Sequence, residues 1–299
     1  MALLKDTGAA MQLAASRCVY SSLKLHFAYD PATRSTVLAE SSCEPPLKAV
    51  RAFTLADGAA LIHLHNVSGG LLGGDRLSLS VHLGENAKVQ LTTTGATRIY
   101  RAREAAGPAT QRTEISLAEN AFLEYLPDPI IPFAHARFSQ QTAIQLAPGA
   151  GLFWWEILAP GREAHGELFA YDSVEMTADL SADGRLVAAE RVRLEPRKYP
   201  LSSPARLGAY RYWATFYICR VGLDPAAWLA LEDRLRDTAK EFTRPGETLW
   251  GISTLAAHGM VCRCVALRGR DVLLGLHHLW RTAKATLYGT EAVPPRKVN

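Results

Sequence analysis

Over most of the first two-thirds of the chain, apolar and polar residues alternate with a period of two; a helical period takes over only near the end. Leu77, Leu79, Val81 and Leu83 are separated by Ser78, Ser80 and His82, and Val89 and Leu91 resume the alternation after a short turn. This is the pattern of strands with one buried face. One phrase returns at intervals of about 30 residues: Leu83-Gly-Glu-Asn-Ala87, Leu117-Ala-Glu-Asn-Ala121 and Leu146-Ala-Pro-Gly-Ala150. Asn86, Asn120 and Gly149 stand where a tight turn demands positive φ. Three stacked strand–turn–strand units are therefore predicted. Ala182-Asp183-Gly184 separates strand-like 174–180 from 185–192, and Gly259–Leu267 reads as a further strand.

Helical signals begin at Asp224-Pro225, an N-cap followed by a first-turn proline. Trp228, Leu231, Leu235, Ala239 and Phe242 then share one face, and Pro245-Gly246 stops the helix. A second helix is predicted from near Asp271 to Gly289, with Val272, Leu276, Leu279, Trp280, Ala283 and Leu287 as its apolar face. The fold class is thus mainly β. It is a single elongated domain over 1–299, built of stacked antiparallel or mixed strands in β-helix-like hairpin repeats, with two C-terminal helices. The strand-rich part runs over 20–222, the helix-containing part over 223–290, and 291–299 is a loose tail.

Composition narrows the function. The apolar fraction of 48% and charged fraction of 21% are those of an ordinary folded protein. A formal charge of +4 with no run of like charges argues against nucleic acid as a partner. No apolar run is long enough to span a membrane, and the N-terminus lacks a signal-peptide core, so the expected location is cytoplasmic. Five cysteines at irregular spacing fit reduced thiols.

Signatures of the common enzyme classes are missing: no phosphate-binding loop, no metalloprotease helix motif and no nucleophile elbow. His63-x-His65 and His258-x-x-x-Cys262-x-Cys264 hold ligand-type residues without the spacing of a structural zinc site, and the His277-His278 rings diverge on a helix. The carboxylates are more informative. Glu124 and Asp128 lie within a stiff segment holding Pro127, Pro129 and Pro132, and Glu156 follows Trp154-Trp155 in a very apolar strand. A buried Glu156 needs a partner, for which Arg162 and Arg191 are candidates. Asp75, Asp128, Glu156 and Glu167 offer a polar path for a hard or borderline cation.

The residues SGGLLGGD at 68–75 and QLTTTGATRIYR at 90–101, continued by EYLPDPIIPFAHARFSQQ at 124–141 and FWWEILAPGREAHGE at 153–167, resemble the UreD (UreH) urease accessory protein family. The resemblance covers about residues 20 to 290. The tail Pro295-Arg296-Lys297-Val298-Asn299 departs from the arginine-isoleucine-tryptophan-threonine phrase with which members often end. The resemblance implies a non-enzymatic urease maturation chaperone. Such a scaffold works with UreF and the GTPase UreG, docks on apo-urease and helps deliver nickel, held transiently and without an organic cofactor, through an internal polar tunnel. Asp75, Thr92, Thr93, Glu124, Asp128 and Glu156 are the metal-transit candidates, with turn capping an alternative role for Asp75. Gly69, Gly70, Gly73, Gly74, Arg98, Tyr100, Arg101, Pro127, Pro129, Arg162 and Glu167 are family-motif structural residues. Trp280, Arg281 and Lys284 are candidate partner contacts. Two other readings stay open: an adaptor without a metal path, and a β-scaffold hydrolase using Glu124 and Asp128 as an acid/base pair.

Overall fold

The computed structural model describes residues 18–103 and 105–295. The N-terminal segment read above for a targeting signal and tail residues 296–299 lie outside the described residues. The chain enters through the hairpin β1 (Tyr20–Asp30) and β2 (Ser35–Glu44), then the short β3 (Leu47–Ala49) and β4 (Phe53–Thr54), and β5 (Ala60–Asn66). Three coils follow: β6 (Arg76–Leu83), β7 (Lys88–Thr93) and β8 (Thr97–Ile99); β9 (Ala109–Leu117), β10 (Phe122–Tyr125) and β11 (Ile130–Pro132); β12 (Arg137–Leu146) and β13 (Gly151–Leu158). The hairpin β14 (Ser173–Ala182) and β15 (Arg185–Leu194) and then β16 (Tyr212–Arg220) complete the strand-rich part. Last come α1 (Pro225–Phe242), β17 (Thr248–Thr254), β18 (Gly259–Ala266) and α2 (Gly269–Tyr288).

What repeats is a β-helix-like coil. The two strands joined by each corner lie in different sheets, and hydrogen bonding runs from coil to coil. The first sheet has the order β15-β14-β12-β9-β6-β1-β2, parallel from β14 to β1 with an antiparallel hairpin at each edge. The second has the order β17-β18-β16-β13-β10-β7-β5-β3, parallel from β13 to β5 and antiparallel beyond.

The corners explain the recurring phrase. Leu83, Leu117 and Leu146 stand in one register row. After each, the chain turns, and the N–H of Ala87, Ala121 and Ala150 donates to Gly84 O, Ala118 O and Ala147 O at 3.1, 3.2 and 3.1 Å. Asn86, Asn120 and Gly149 take φ of 59°, 55° and 71°, which only glycine and the short polar side chains adopt readily. All three alanines are fully buried, so a larger side chain would separate stacked corners.

Inward residues of both sheets form the larger core, with Leu79, Val81, Leu123, Leu152 and Trp154 among them. The opposite face of the second sheet is covered by the helices, where Phe153, Trp155, Phe216, Leu231, Leu276 and Trp280 form a second core. That double covering is why every residue of β13 is buried. Asp224 caps α1 by accepting from Ala226 N at 2.7 Å. α1 ends at Phe242, ahead of Pro245, and α2 begins two residues before Asp271, at Gly269. At the start of the stretch expected to be a loose tail, Ala292 is buried, and Gln90 Nε2 donates to Val293 O at 3.0 Å. No helix among the described residues is long and apolar enough to cross a membrane.

Candidate functional site

A cavity of about 260 Å³ lies between the two sheets. Its outer end is formed by the exposed Thr94 and Arg98 and the partly exposed His65, Asn66 and Asp128, and its inner end by the buried Gln140, Thr142, Thr113 and Glu156. Strand alternation decides which of the expected residues reach it. In β7, Val89 and Leu91 point inward, so Thr93 joins the cavity while Thr92 faces the helices. In β10, Leu123 and Tyr125 point inward, and Glu124 therefore points to α2. In β13, Leu152, Trp154 and Glu156 point inward.

Asp128 is fixed at the outer end by Thr93, whose hydroxyl donates to Asp128 Oδ2 at 2.9 Å and accepts from Asp128 N at 2.8 Å. The carbonyl of Pro127 accepts from Trp155 Nε1 at 2.8 Å, which ties this Pro-stiffened segment to the neighbouring coil. His65 Nδ1 lies 2.8 Å from Thr94 Oγ1.

Glu156 sits deeper. Gln140 Nε2 donates to its Oε1 from the facing sheet. Burial pushes the carboxyl up to about 8, against the opposing pull of the Gln140 hydrogen bond and with a further push from Glu190. Glu190 is itself held by the Tyr217 hydroxyl at 2.6 Å and by Arg263 at 2.8 Å. Neither arginine expected to pair with Glu156 does so: Arg162 is paired with Glu167 and Arg191 with Asp179. A neutral amide suffices because the carboxyl is largely protonated near neutrality.

The remaining candidates stand elsewhere. Asp75 is 6% exposed and closes a turn, accepting from Val19 N at 3.0 Å and Leu72 N at 2.8 Å. The Thr92 hydroxyl donates to Leu126 O at 2.6 Å, on the helix side. Glu124 is sealed beneath α2, where Trp280 Nε1 and Lys284 Nζ donate to it at 2.6 and 2.8 Å. Burial raises its pKa despite the opposing charge of Lys284. Glu124 and Asp128 thus lie on opposite faces of the second sheet and form no acid/base pair. Trp280 and Lys284 are buried inside the chain and have no surface to offer a partner; Arg281 is exposed.

Gly70 and Gly73 allow residues 69–74 to pack directly on 98–102: a Cβ on Gly70 would stand 2.6 Å from Arg98 O, and one on Gly73 2.8 Å from Ala102 Cβ. Gly69 and Gly74 take φ of 80° and 90°. The Tyr100 hydroxyl donates to Gly69 O at 3.1 Å, and Arg101 is exposed. Pro129 O accepts from Thr97 N at 2.9 Å. Arg162 lies over the Phe133 ring, and Glu167 also accepts from Ala134 N at 3.1 Å, pinning the loop after β13; the Arg162 guanidinium holds the Glu167 carboxyl below its usual range.

The polar cavity residues contributed by the first sheet escaped the sequence reading: Gln111, Thr113, Gln140 and Thr142. Their signal was a matter of phase. Leu77 and Leu79 on β6 pair with Gln111 and Thr113 on β9, which pair with Gln140 and Thr142 on β12. Polar residues at the inward phase of central strands need partners or an internal space. The Thr113 hydroxyl is buried without a hydrogen-bond partner. Cys219, Cys262 and Cys264 are buried free thiols, with burial pushing Cys262 up to about 12. No three His, Cys, Asp or Glu side chains among the described residues are grouped to hold a metal. His277 packs on Trp155 and Trp280 while His278 packs on Phe242.

Known proteins are similar to this sequence over most of its length. The family described as "UreD urease accessory protein" matches residues 21–299. A urease accessory protein UreD of Herpetosiphon aurantiacus is 50% identical over 254 residues, 85% of this chain and 88% of that protein. The protein of the same name from Pseudomonas aeruginosa is 37% identical over 76% of each chain. One from Staphylococcus aureus is 30% identical over 75% of this chain and 79% of its own length.

Proposed function

This chain belongs to the UreD urease accessory protein family, with a role in urease maturation, and from that premise we propose that it is a non-enzymatic nickel-insertion scaffold whose inter-sheet cavity passes the ion between Asp128 and Glu156. One observation carries the reading: a buried carboxyl group faces a cavity that opens beside the side chain of Asp128, with hydroxyls and amides between them.

The donor set suits a cargo better than a resident metal. A closed His/Cys cage would trap a borderline ion, whereas single carboxylates, hydroxyls and retained water bind it weakly enough to release it. Glu156 adds a proton to the exchange. With its pKa raised to about 8 it is mostly neutral at neutral pH, so an arriving cation displaces the proton and a departing one lets it return. Asp128, held by two hydrogen bonds to Thr93, presents its charge at the entrance without needing to reorganise.

In this reading the protein works in the cytoplasm with UreF, through UreF with UreG, and with apo-urease subunits. The test uses the full-length chain carrying Asp128→Asn, Glu156→Gln or both, produced with the other accessory proteins and urease. Complexes with UreF should survive while urease nickel content and activity fall. Full nickel loading by the double variant would overturn the conduit and leave the adaptor reading.

A further inference from the structure

The outer face of the first sheet carries a pair of metal-ligating side chains that the cavity does not use. His26 on β1 and His82 on β6 are register partners in a parallel ladder, so both rings leave the same face of the sheet. Their sequence neighbours Leu25, Phe27, Val81 and Leu83 all point into the core, which puts both histidines on the solvent side. The ring centroids are 4.9 Å apart with planes inclined at 59°, a tilted pair rather than a stack. His82 Nδ1 lies 2.8 Å from Ser116 Oγ, on the next strand of the same row. On the other side of His26 its register partner is the exposed Glu40 of β2.

We propose that His26 and His82 together bind a borderline divalent cation of the nickel, copper and zinc class, with water filling the remaining positions. Imidazole is a preferred ligand for these ions, at about 2.0–2.1 Å from nitrogen to metal. Two rings on adjacent strands, with centroids 4.9 Å apart, meet that requirement on a rigid sheet. The Ser116 hydroxyl, against Nδ1, gives His82 the oxygen partner that a ligating histidine usually has on its other nitrogen, orients the ring and leaves Nε2 for the metal. Glu40, next in the row, adds a negative charge, while Lys24 stands exposed two residues away along β1. With only two protein ligands the site is open and exchangeable. Magnesium and calcium, which require several oxygen ligands, have no cage here. The backbone of the first sheet and its inward side chains separate this site from the cavity, so the inference stands apart from the conduit.

The test is a calorimetric titration of nickel chloride into the untagged full-length protein, beside His26→Gln, His82→Gln and the double variant. The expected result is loss of one nickel equivalent, or an affinity weakened by about tenfold or more, in each single variant. Zinc should compete and magnesium should not, and Asp128→Asn with Glu156→Gln should leave this equivalent in place. Unchanged stoichiometry and affinity in the double variant would overturn the proposal. If a variant folds poorly, paramagnetic broadening decides the matter in the wild-type protein: substoichiometric nickel should broaden the ring resonances of His26 and His82 first, and sparing both would refute the site.

Discussion

Glu124 and Lys284 form an ion pair closed between the second sheet and α2, carboxylate to ammonium at 2.8 Å, with both side chains 3% exposed. Trp280 takes the other carboxylate oxygen. Such a pair orients α2 more than it stabilises it, because desolvation offsets most of the attraction. Lys284→Met, which strands the carboxylate, should cost about 3–5 kcal/mol in denaturant unfolding. Glu124→Leu combined with Lys284→Met should recover most of that loss. A single variant within about 1 kcal/mol of wild type would contradict the assignment of a buried, mutually dependent pair.

Glu156 has no cationic partner among the described residues, and its burial makes stability depend on pH. Its folded pKa, about 8, lies above the ordinary 4.5, so the native state holds a proton that the unfolded chain releases. Stability from this group is therefore fully present at low pH and is lost as pH rises from the ordinary carboxyl range through about 8. Glu156→Gln should leave the melting temperature nearly unchanged in mild acid, below the ordinary carboxyl range, and raise it once the pH exceeds the folded value. Calorimetric scans across that range check the sign; an equal gain at both ends would mean the carboxyl is not buried in the way described.

Thr92 and Thr93 are adjacent and should behave differently. Thr93→Val removes both hydrogen bonds between Thr93 and Asp128 and should lower nickel loading of urease. Thr92→Val breaks only a bond to Leu126 O and should cost about 1 kcal/mol of stability while loading persists. Urease nickel content, measured at equal levels of each soluble variant, separates the two; equal loss in both would sink the division by face.

At the third corner, Gly149 has φ of 71°, and a Cβ there would collide with Asn120 Oδ1. Gly149→Ala should destabilise by at least about 1–2 kcal/mol, read as a lower denaturant midpoint at constant slope. A neutral result would mean that the stacked corners are not under this constraint.

Much of the fold was legible because its strongest signals are local. Asn86, Asn120 and Gly149 marked the corners, and Asp224-Pro225 marked the start of α1, through conformational preferences that survive any tertiary context. The short β8 and β11 and the edge β17 were not, since three residues or an exposed edge carry little periodicity. The candidate site was legible by residue type but not by direction. Motifs group Thr92 with Thr93 and Glu124 with Asp128, whereas the pleat sends the two threonines to opposite faces, and the irregular segment after β10 carries Asp128 to the cavity while Glu124 points to α2. Gln111, Thr113, Gln140 and Thr142 were missed because each looks ordinary alone; only the register of three strands brings them together.

That register also gives the cavity a unit of length. β6 with β7, β9 with β10 and β12 with β13 each contribute one tier of lining, and adjacent tiers are separated by the spacing of hydrogen-bonded strands, about 4.8 Å. The length of the cavity is therefore set in whole tiers. A chain of this design lengthens or shortens that cavity by adding or removing a whole tier, as a ruler gains or loses a division, while the two terminal hairpins keep their places.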